Sequence, residues 1–281
     1  LLTIQFVFNH LNEIPKSPHG CDFSRVKPWY LEGHAKYLRQ TLLLGRHDLP
    51  EARALFNQNC HNVAGKLRVD GGAITGVLDR VRPGVRQIFE FIDRDASADM
   101  SGTAAATEAD TRLEWFTKKT LPLLLRSARS RDHTLLVVPS YFDFVRVTNA
   151  LRKSGAVTFA QISEYSSPAE ISKARTLFFK GKRAMLVVTE RFHFYRRYKL
   201  RGAHTVVFYQ LPVHAAFYAE FLSMPFAASQ SKGEVDDEVD PADVSSRVLV
   251  SRFDCLRLER VVGKEDVGKM LRSTEPRFEY V

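Results

Sequence analysis

The chain has 281 residues, 44% hydrophobic and 26% charged, enough for one large domain or two ordinary ones with a sizeable core, and in the balance of a soluble globular protein. Its 41 Lys and Arg against 32 Asp and Glu give a formal charge of +9, which favours acidic partners, nucleic acid foremost. No apolar run approaches the ~20 residues of a membrane span, Leu1–Lys16 has neither the charged start nor the cleavage site of a signal peptide, and Cys21, Cys60 and Cys255 form no CxxC pair, so reduced thiols and no metal site are expected.

In chain order, helical periodicity runs through IQFVFNHLNEIP, WYLEGHAKYLRQ and LPEARALFNQNCHN, to about Asn62. Between the last two, QTLLLGR is an apolar run suited to a buried parallel strand, and VRQIFEF, Val85 to Phe91, is a second strand candidate. DRDASADMSGTAAATEADT is small and polar, a linker or disordered insertion. A helix is expected from about Arg112 to Ala128, then the strand TLLVVPS, the helix YFDFVRVTNALRKSG and the short strand TFAQIS. In SSPAEISKARTLFFKG, Ser167 reads as an N-cap, Pro168 as the first helical residue and Gly181 as the stop. Strand AMLVV, a basic and aromatic loop, strand HTVVFYQ and helix VHAAFYAEFLSM follow. ASQSKGEVDDEVDPADVSS reads as an acidic surface insertion and SRVLVSRFDCLRLERVVG as a final strand or strand pair. Alternating strands and helices, with strands apolar on both faces, predict an α/β fold: a parallel sheet covered by helices.

Ligands of such sheets bind at the carboxyl ends of the strands. PSYFDF leaves that end of TLLVV, TERFHFYRRYKLRGA that of AMLVV, and QLP that of TVVFY. The second of these loops sets Arg191, Arg196, Arg197, Lys199 and Arg201 among Phe192, Phe194, Tyr195 and Tyr198. Cations that track phosphates and rings that stack on bases, at about 1–3 kcal/mol per base, suit single-stranded or irregular RNA. Five engaged cations would give a salt slope of at most about −3.5 on a single strand. The same residues also fit rings packed inward with arginines solvated or paired to a protein partner, and both readings stay open. GxxxxGK[ST], GxSxG, HExxH and a DExD-type pair after a strand are absent; VDGGAITG at Val69 to Gly76 lacks the phosphate-loop lysine, and Glu234 to Asp240 reads as solvated charge.

The order TLLVVPSYFDF, FFKGKRAMLVVTE, TVVFYQLPVHAAFY resembles the second RecA-like lobe of DEAD-box RNA helicases. LVVTE stands where these have LVATD, FYQLP where a strand ends in tyrosine and Leu-Pro, and Tyr218 where a tyrosine precedes His-Arg. RQTLLLGRHDLPEARALF resembles their RQTLLFSAT segment and the helix after it, at the end of the first lobe. The longer motifs DFSRVKPWYLEGHAKYLRQT, SYFDFVRVTN, ISEYSS, TERFHFYRRYKLRG and FYQLPVHAAFYAE resemble the digestive organ expansion factor family, the U3 small nucleolar RNA-associated protein 25 family of the small-subunit processome.

The resemblance implies the C-terminal part of a first RecA-like lobe over residues 1–92, a linker over 93–110, and a second RecA-like lobe over 111–281 with an acidic insertion at about 228–246. It implies a nucleolar, hence nuclear, ribosome biogenesis factor that binds U3 snoRNA, pre-rRNA and other processome proteins, supports pre-rRNA processing toward 18S rRNA, and has no membrane or small-molecule partner. RNA contacts would come from Ser140, Tyr141 and Thr189, joined by Arg191, Arg196, Arg197, Lys199 and Arg201 of the enlarged loop.

The departures from the helicase pattern bear on catalysis. Gly45, Arg46 and His47 replace Ser-Ala-Thr, Glu190 replaces aspartate, Glu220 and Phe221 replace His-Arg, and Lys232 is the only Lys or Arg from Val213 to Ser246. An arginine finger contributes on the order of 10³–10⁵ in rate to phosphoryl transfer. The expectation is therefore a pseudo-helicase with no catalytic residue, metal or cofactor. The alternatives are a purely protein-binding nucleolar scaffold and an active ATP-dependent helicase, whose phosphate loop and DEAD-like strand would lie upstream of Leu1.

Overall fold

Three apolar, largely β-branched runs, Thr134–Val138, Met185–Thr189 and Thr205–Phe208, are buried along their whole length, and they form the middle of one sheet in a computed structural model of the chain. The structure describes residues 2–11, 13–14, 16–45, 47, 49–69, 75–92, 104–127, 133–227 and 239–281. The chain divides into two units, Leu1–Gly72 and Ala73–Val281.

The first unit is helical: α1 (Leu2–His10), α2 (Pro28–Leu31), α3 (Ala35–Leu38) and α4 (Pro50–Asn59). Pro28 and Pro50 open α2 and α4, where a missing N–H costs nothing. QTLLLGR forms no strand: residues 40–45 are irregular, with Leu42 and Leu44 79% and 95% exposed. A parallel strand needs neighbours to complete its ladder, and this unit has none among the described residues. Arg46 lies outside them.

The second unit begins with β1 (Arg86–Phe91), then α5 (Ala104–Trp115), a π-turn (Phe116–Thr120) and α6 (Leu121–Arg126). Pro122 has no N–H for the Lys118 carbonyl, and the helix widens into the π-turn just before it. There follow β2 (Thr134–Val138), α7 (Tyr141–Ser154), β3 (Phe159–Ile162), α8 (Pro168–Phe179), β4 (Met185–Thr189), α9 (Glu190–Arg196), β5 (Thr205–Phe208), α10 (Ala215–Ser223), β6 (Ser245–Val250), α11 (Cys255–Val262), α12 (Lys264–Arg272) and β7 (Arg277–Tyr280). The strand order is β3-β4-β2-β5-β6-β1-β7; the first six strands run parallel and β7 pairs antiparallel with β1. Strand residues alternate between two cores. Leu135, Val137, Leu186, Val188, Val206 and Phe208 pack with α8–α12 on one face, and Leu136, Val138, Val187, Val207 and Leu249 with Phe116, Leu121, Leu124 and α7 on the other.

The α/β parallel-sheet expectation therefore holds, with four corrections besides the missing QTLLLGR strand. Arg86–Phe91, assigned from sequence to the first lobe, belongs to the large sheet through β6 and β7, so the observed division falls after Gly72 rather than at residue 92. Residues 104–110 of the expected linker are helical; residues 93–103 lie outside the described ones. The basic and aromatic loop opens as helix α9, because Thr189 caps it and Glu190 occupies its first turn. The second half of the expected final strand pair is α11, whose Leu258, Val261 and Val262 make one buried helical stripe. Of the acidic insertion, 228–238 lie outside the described residues, while 241–243 form a 3₁₀ turn and β6 starts at Ser245. Ser167 caps α8 in a reciprocal capping box with Glu170, and Gly181 follows its end at φ +67°, as the sequence predicts.

Candidate nucleic-acid interface

The carboxyl edge of the sheet has two unlike halves. At β5 and β6 it is filled. Arg112, 1% exposed, reaches from α5 to donate to the carbonyls of Tyr209 (3.0 Å) and Leu249 (2.8 Å), to Ser251 Oγ (3.2 Å), to Asp254 Oδ2 (2.6 Å) and to Glu108. Gln210 Nε2 donates to the other Asp254 oxygen at 2.9 Å. The loop after β5, one of the three expected to meet a ligand, is thus closed by the protein's own buried ion pairs.

At β3, β4 and β2 the edge is open and aromatic. Ser140 caps α7, its hydroxyl accepting from the Asp143 N–H at 3.4 Å. The Tyr141 ring meets Tyr165 edge-on at 4.9 Å and stacks on Phe144 at 5.9 Å. Phe142, Tyr165 and Tyr195 are 82%, 70% and 62% exposed and Phe194 45%; Phe194 and Tyr195 meet at right angles, 5.1 Å apart. The Arg191 guanidinium lies over Tyr195 at 5.9 Å and 3.6 Å from Glu164 Oε1. Arg196 is exposed. Exposed ring faces beside cations can stack bases and hold phosphates.

Behind this surface the polar residues are tied to one another. Thr189, fully buried, donates its hydroxyl to Glu164 Oε2 (2.7 Å) and accepts the Phe192 N–H (3.2 Å). It anchors α9 and presents no hydroxyl to solvent. Glu190 accepts the N–H groups of Val213 (2.8 Å) and His214 (2.9 Å), joining α9 to the start of α10. Glu220 receives His193 Nε2 (2.6 Å) and Arg197 (2.7 Å), and Arg197 also lies 4.6 Å over Phe217. Arg197 ends α9 at φ +51°, a left-handed position usually left to Gly or Asn. Burial pushes the His193 imidazole below its ordinary value, against the pull of Glu220. Burial alone would raise Glu220, but the bonds from His193 and Arg197 outweigh it and hold the carboxyl below its usual range.

The expected site residues consequently separate. Ser140, Tyr141 and Arg191 gather at the open half; Arg196 is exposed in the last turn of α9; Thr189 lies beneath the open half; Arg197 is engaged with Glu220. Lys199 and Arg201 do not belong there: Arg201 lies over Phe179, at the end of α8, 5.3 Å from its ring, and Gly202 abuts Phe179 and His133, beside the amino ends of β4 and β2. Of the loop's rings, Phe192 is core and Tyr198 stacks on it at 5.8 Å; Tyr218, matched by resemblance to a helicase motif, is fully buried, its hydroxyl donating to Gln87 Oε1 at 2.9 Å. Sequence reasoning missed Glu164, Tyr165 and Phe142, although Tyr165 falls in ISEYSS just after a predicted strand, and it missed Arg112, whose partners other than Glu108 lie more than 90 residues away.

Residues 77–280 match the Utp25 C-terminal domain and residues 2–67 the UTP25 NTP hydrolase-like domain. The U3 small nucleolar RNA-associated protein 25 of Sclerotinia sclerotiorum is 38% identical over 281 residues, covering 99% of this chain and 37% of that protein. Its namesake in Podospora anserina is 39% identical over 282 residues, covering 99% and 41%. The chain therefore spans about two fifths of the length of the curated relatives it matches. Similar solved structures include the E. coli DEAD-box protein SrmB bound to regulator of ribonuclease activity A (17% identity, 53% of this chain and 78% of that one, TM-score 0.42) and the C-terminal domain of the DEAD-box protein Dbp5 (14%, 67% and 86%, TM-score 0.41). With both domain descriptions matched in order along it and relatives aligned over 99% of its length, the chain belongs to the Utp25 family.

Proposed function

We propose that this chain is the RNA-holding part of a ribosome biogenesis factor of the nucleolar small-subunit processome, one that binds U3 snoRNA or pre-rRNA and neighbouring processome proteins to support processing toward 18S rRNA, without ATP-driven catalysis. The observation that carries the reading is the open half of the carboxyl edge, where Phe142, Tyr165, Phe194 and Tyr195 are exposed beside Arg191 and Arg196. It lies where sheets of this class take ligands, and the relatives' name places them with a small nucleolar RNA. The non-catalytic reading is supported by Glu220 and Phe221, an acid bonded to His193 and Arg197 and a buried ring where helicases carry His-Arg, and by Glu190, whose carboxylate is taken up by backbone N–H groups.

The test is RNA affinity across a salt series, with and without Arg191→Glu and Arg196→Glu. Arg197 is left intact because reversing it would break the Glu220 pair. A slope that flattens by about one to two units in the double variant supports the RNA reading. An unchanged slope, with loss of a processome protein from a pull-down, supports the scaffold. RNA-stimulated ATP turnover by a full-length relative, lost on substitution at its equivalent of Glu220, would overturn the non-catalytic reading.

A further inference from the structure

A cavity of about 190 Å³ lies between α8 and the segment that follows α9, lined by Ser172, Arg175, Thr176, Phe179 and Arg201 above Leu186 and Leu200. Each of its two guanidiniums rests on a ring: Arg175 on Tyr198 at 4.8 Å and Arg201 on Phe179 at 5.3 Å. Stacking on a ring holds the guanidinium plane in place and leaves N–H groups on its edge for an oxyanion. One Arg175 Nη donates weakly to the Lys199 carbonyl at 3.4 Å, and the Thr176 hydroxyl to the Ser172 carbonyl at 2.9 Å. Lys173, Lys180, Lys182, Arg183 and Lys199 are exposed nearby in sequence, on α8, on the turn into β4 and on the segment after α9.

The charge here is unbalanced. No Asp or Glu occurs between Glu170 and Glu190, or between Glu190 and Glu220, and none of these seven cations has an ion pair with a carboxylate among the described residues. A solvated helix face normally mixes the two signs, and a pocket for one phosphorylated side chain would draw its cations inward. The exposed cations instead extend beyond the pocket lining, to α8, its end and the turn into β4, as a surface that meets a repeating charge requires.

We infer that the cavity between Arg175 and Arg201, with the lysines and arginine around the end of α8, is a second phosphate-binding site that holds the backbone of an RNA strand toward the amino ends of the sheet. The site rests on the RNA reading above and adds a location to it. Arg201 and Lys199, expected from sequence at the carboxyl edge, belong to this one. Each of its rings carries a guanidinium, Arg175 over Tyr198 and Arg201 over the half-exposed Phe179, and its lining offers cations for phosphates rather than a base-reading edge, so it is assigned to backbone and not to sequence.

The experiment measures binding of single-stranded RNA by the full chain across a salt series. The variants are Arg175→Gln with Arg201→Gln, Lys182→Gln with Arg183→Gln, and Arg191→Glu with Arg196→Glu. Each neutralised pair at the second site should lower the slope by about 1.4, at ~0.7 per phosphate contact. The Lys182 and Arg183 pair lies on an exposed turn and keeps the test valid should the pocket variant unfold. Titration with inorganic phosphate should shift the Arg175 and Arg201 side-chain N–H resonances in the unsubstituted chain. If both second-site variants keep the full slope while the Arg191 and Arg196 variant loses it, the second site is refuted and the carboxyl-edge reading stands. If the unsubstituted chain shows no salt-dependent RNA binding, both fall. Loss of an acidic protein partner in the second-site variants, with RNA binding unchanged, also overturns the assignment.

Discussion

His193 shows how single residues on α9 set its behaviour. Its Nε2 bonds to Glu220 while its Nδ1 is buried with no hydrogen-bond partner among the described residues, so the neutral tautomer with the proton on Nε2 fits the site. Protonation would add an N–H at Nδ1 that finds no acceptor. Burial, aided by the charge of Arg197, outweighs the pull of Glu220 and Glu190 and lowers the pKa. A histidine that binds protons less readily folded than unfolded makes stability rise with pH. Its contribution is complete above the unfolded value of ~6.5 and is lost as pH falls through the folded one. His204, lowered by burial and by His133, titrates in the same sense, so the informative quantity is a difference. The urea midpoint should drop between about pH 7 and 5 in the parent, and drop less with His193→Gln. Equal drops in both proteins would mean that His193 is not a source. Glu220, held low, acts in a separate window below its ordinary ~4.3.

Among elements, α5 has the clearest dependence on one side chain. The Arg112–Asp254 pair is buried on both sides, and removing one partner of such a pair leaves an uncompensated charge, at a cost of about 3–5 kcal/mol. Arg112→Met should lower urea stability by that amount, and adding Asp254→Asn should recover part of it. By contrast Arg146→Met, which breaks the exposed ion pair to Asp110, should cost less than ~1 kcal/mol. A small effect at Arg112 would show that α5 is held by apolar packing alone. None of this was legible in the sequence, because an arginine in a helical run reads as solvated until its distant partners are known. What was legible was local. The runs of β2, β4 and β5 are apolar on both faces, and α8 carries its cap, proline and glycine in order. The failures were local as well: LRLERVV fits a strand or a helix over so short a window, QTLLLGR has a strand's composition with no sheet to join, and β7 offers only four alternating residues, too few to stand out.

At the scale of the whole second unit, the two candidate sites follow from one topological requirement. β4 and β5 are parallel members of one sheet, so the chain between them has to leave the carboxyl end of one and return to the amino end of the other. Its cations are therefore divided between two edges, Arg191 and Arg196 at the first and Arg201 at the second, although in sequence they form a single cluster. The parallel fold was legible and already entailed this division; treating the segment as one loop at one edge concealed it. The separation also makes a prediction about stoichiometry. A five-residue strand spans ~17 Å, so an oligonucleotide of two or three residues occupies one site, whereas a long strand can pass from one to the other and gain from the raised local concentration of its second segment. Calorimetric titration should give two short oligonucleotides per chain and one long strand per chain. Neutralising either site should then lower the short-strand stoichiometry to one and sharply weaken the long strand. One short oligonucleotide per parent chain, abolished by the Arg191 and Arg196 variant and untouched by the Arg175 and Arg201 variant, would confine RNA to the carboxyl edge and leave the cations of α8 to another role.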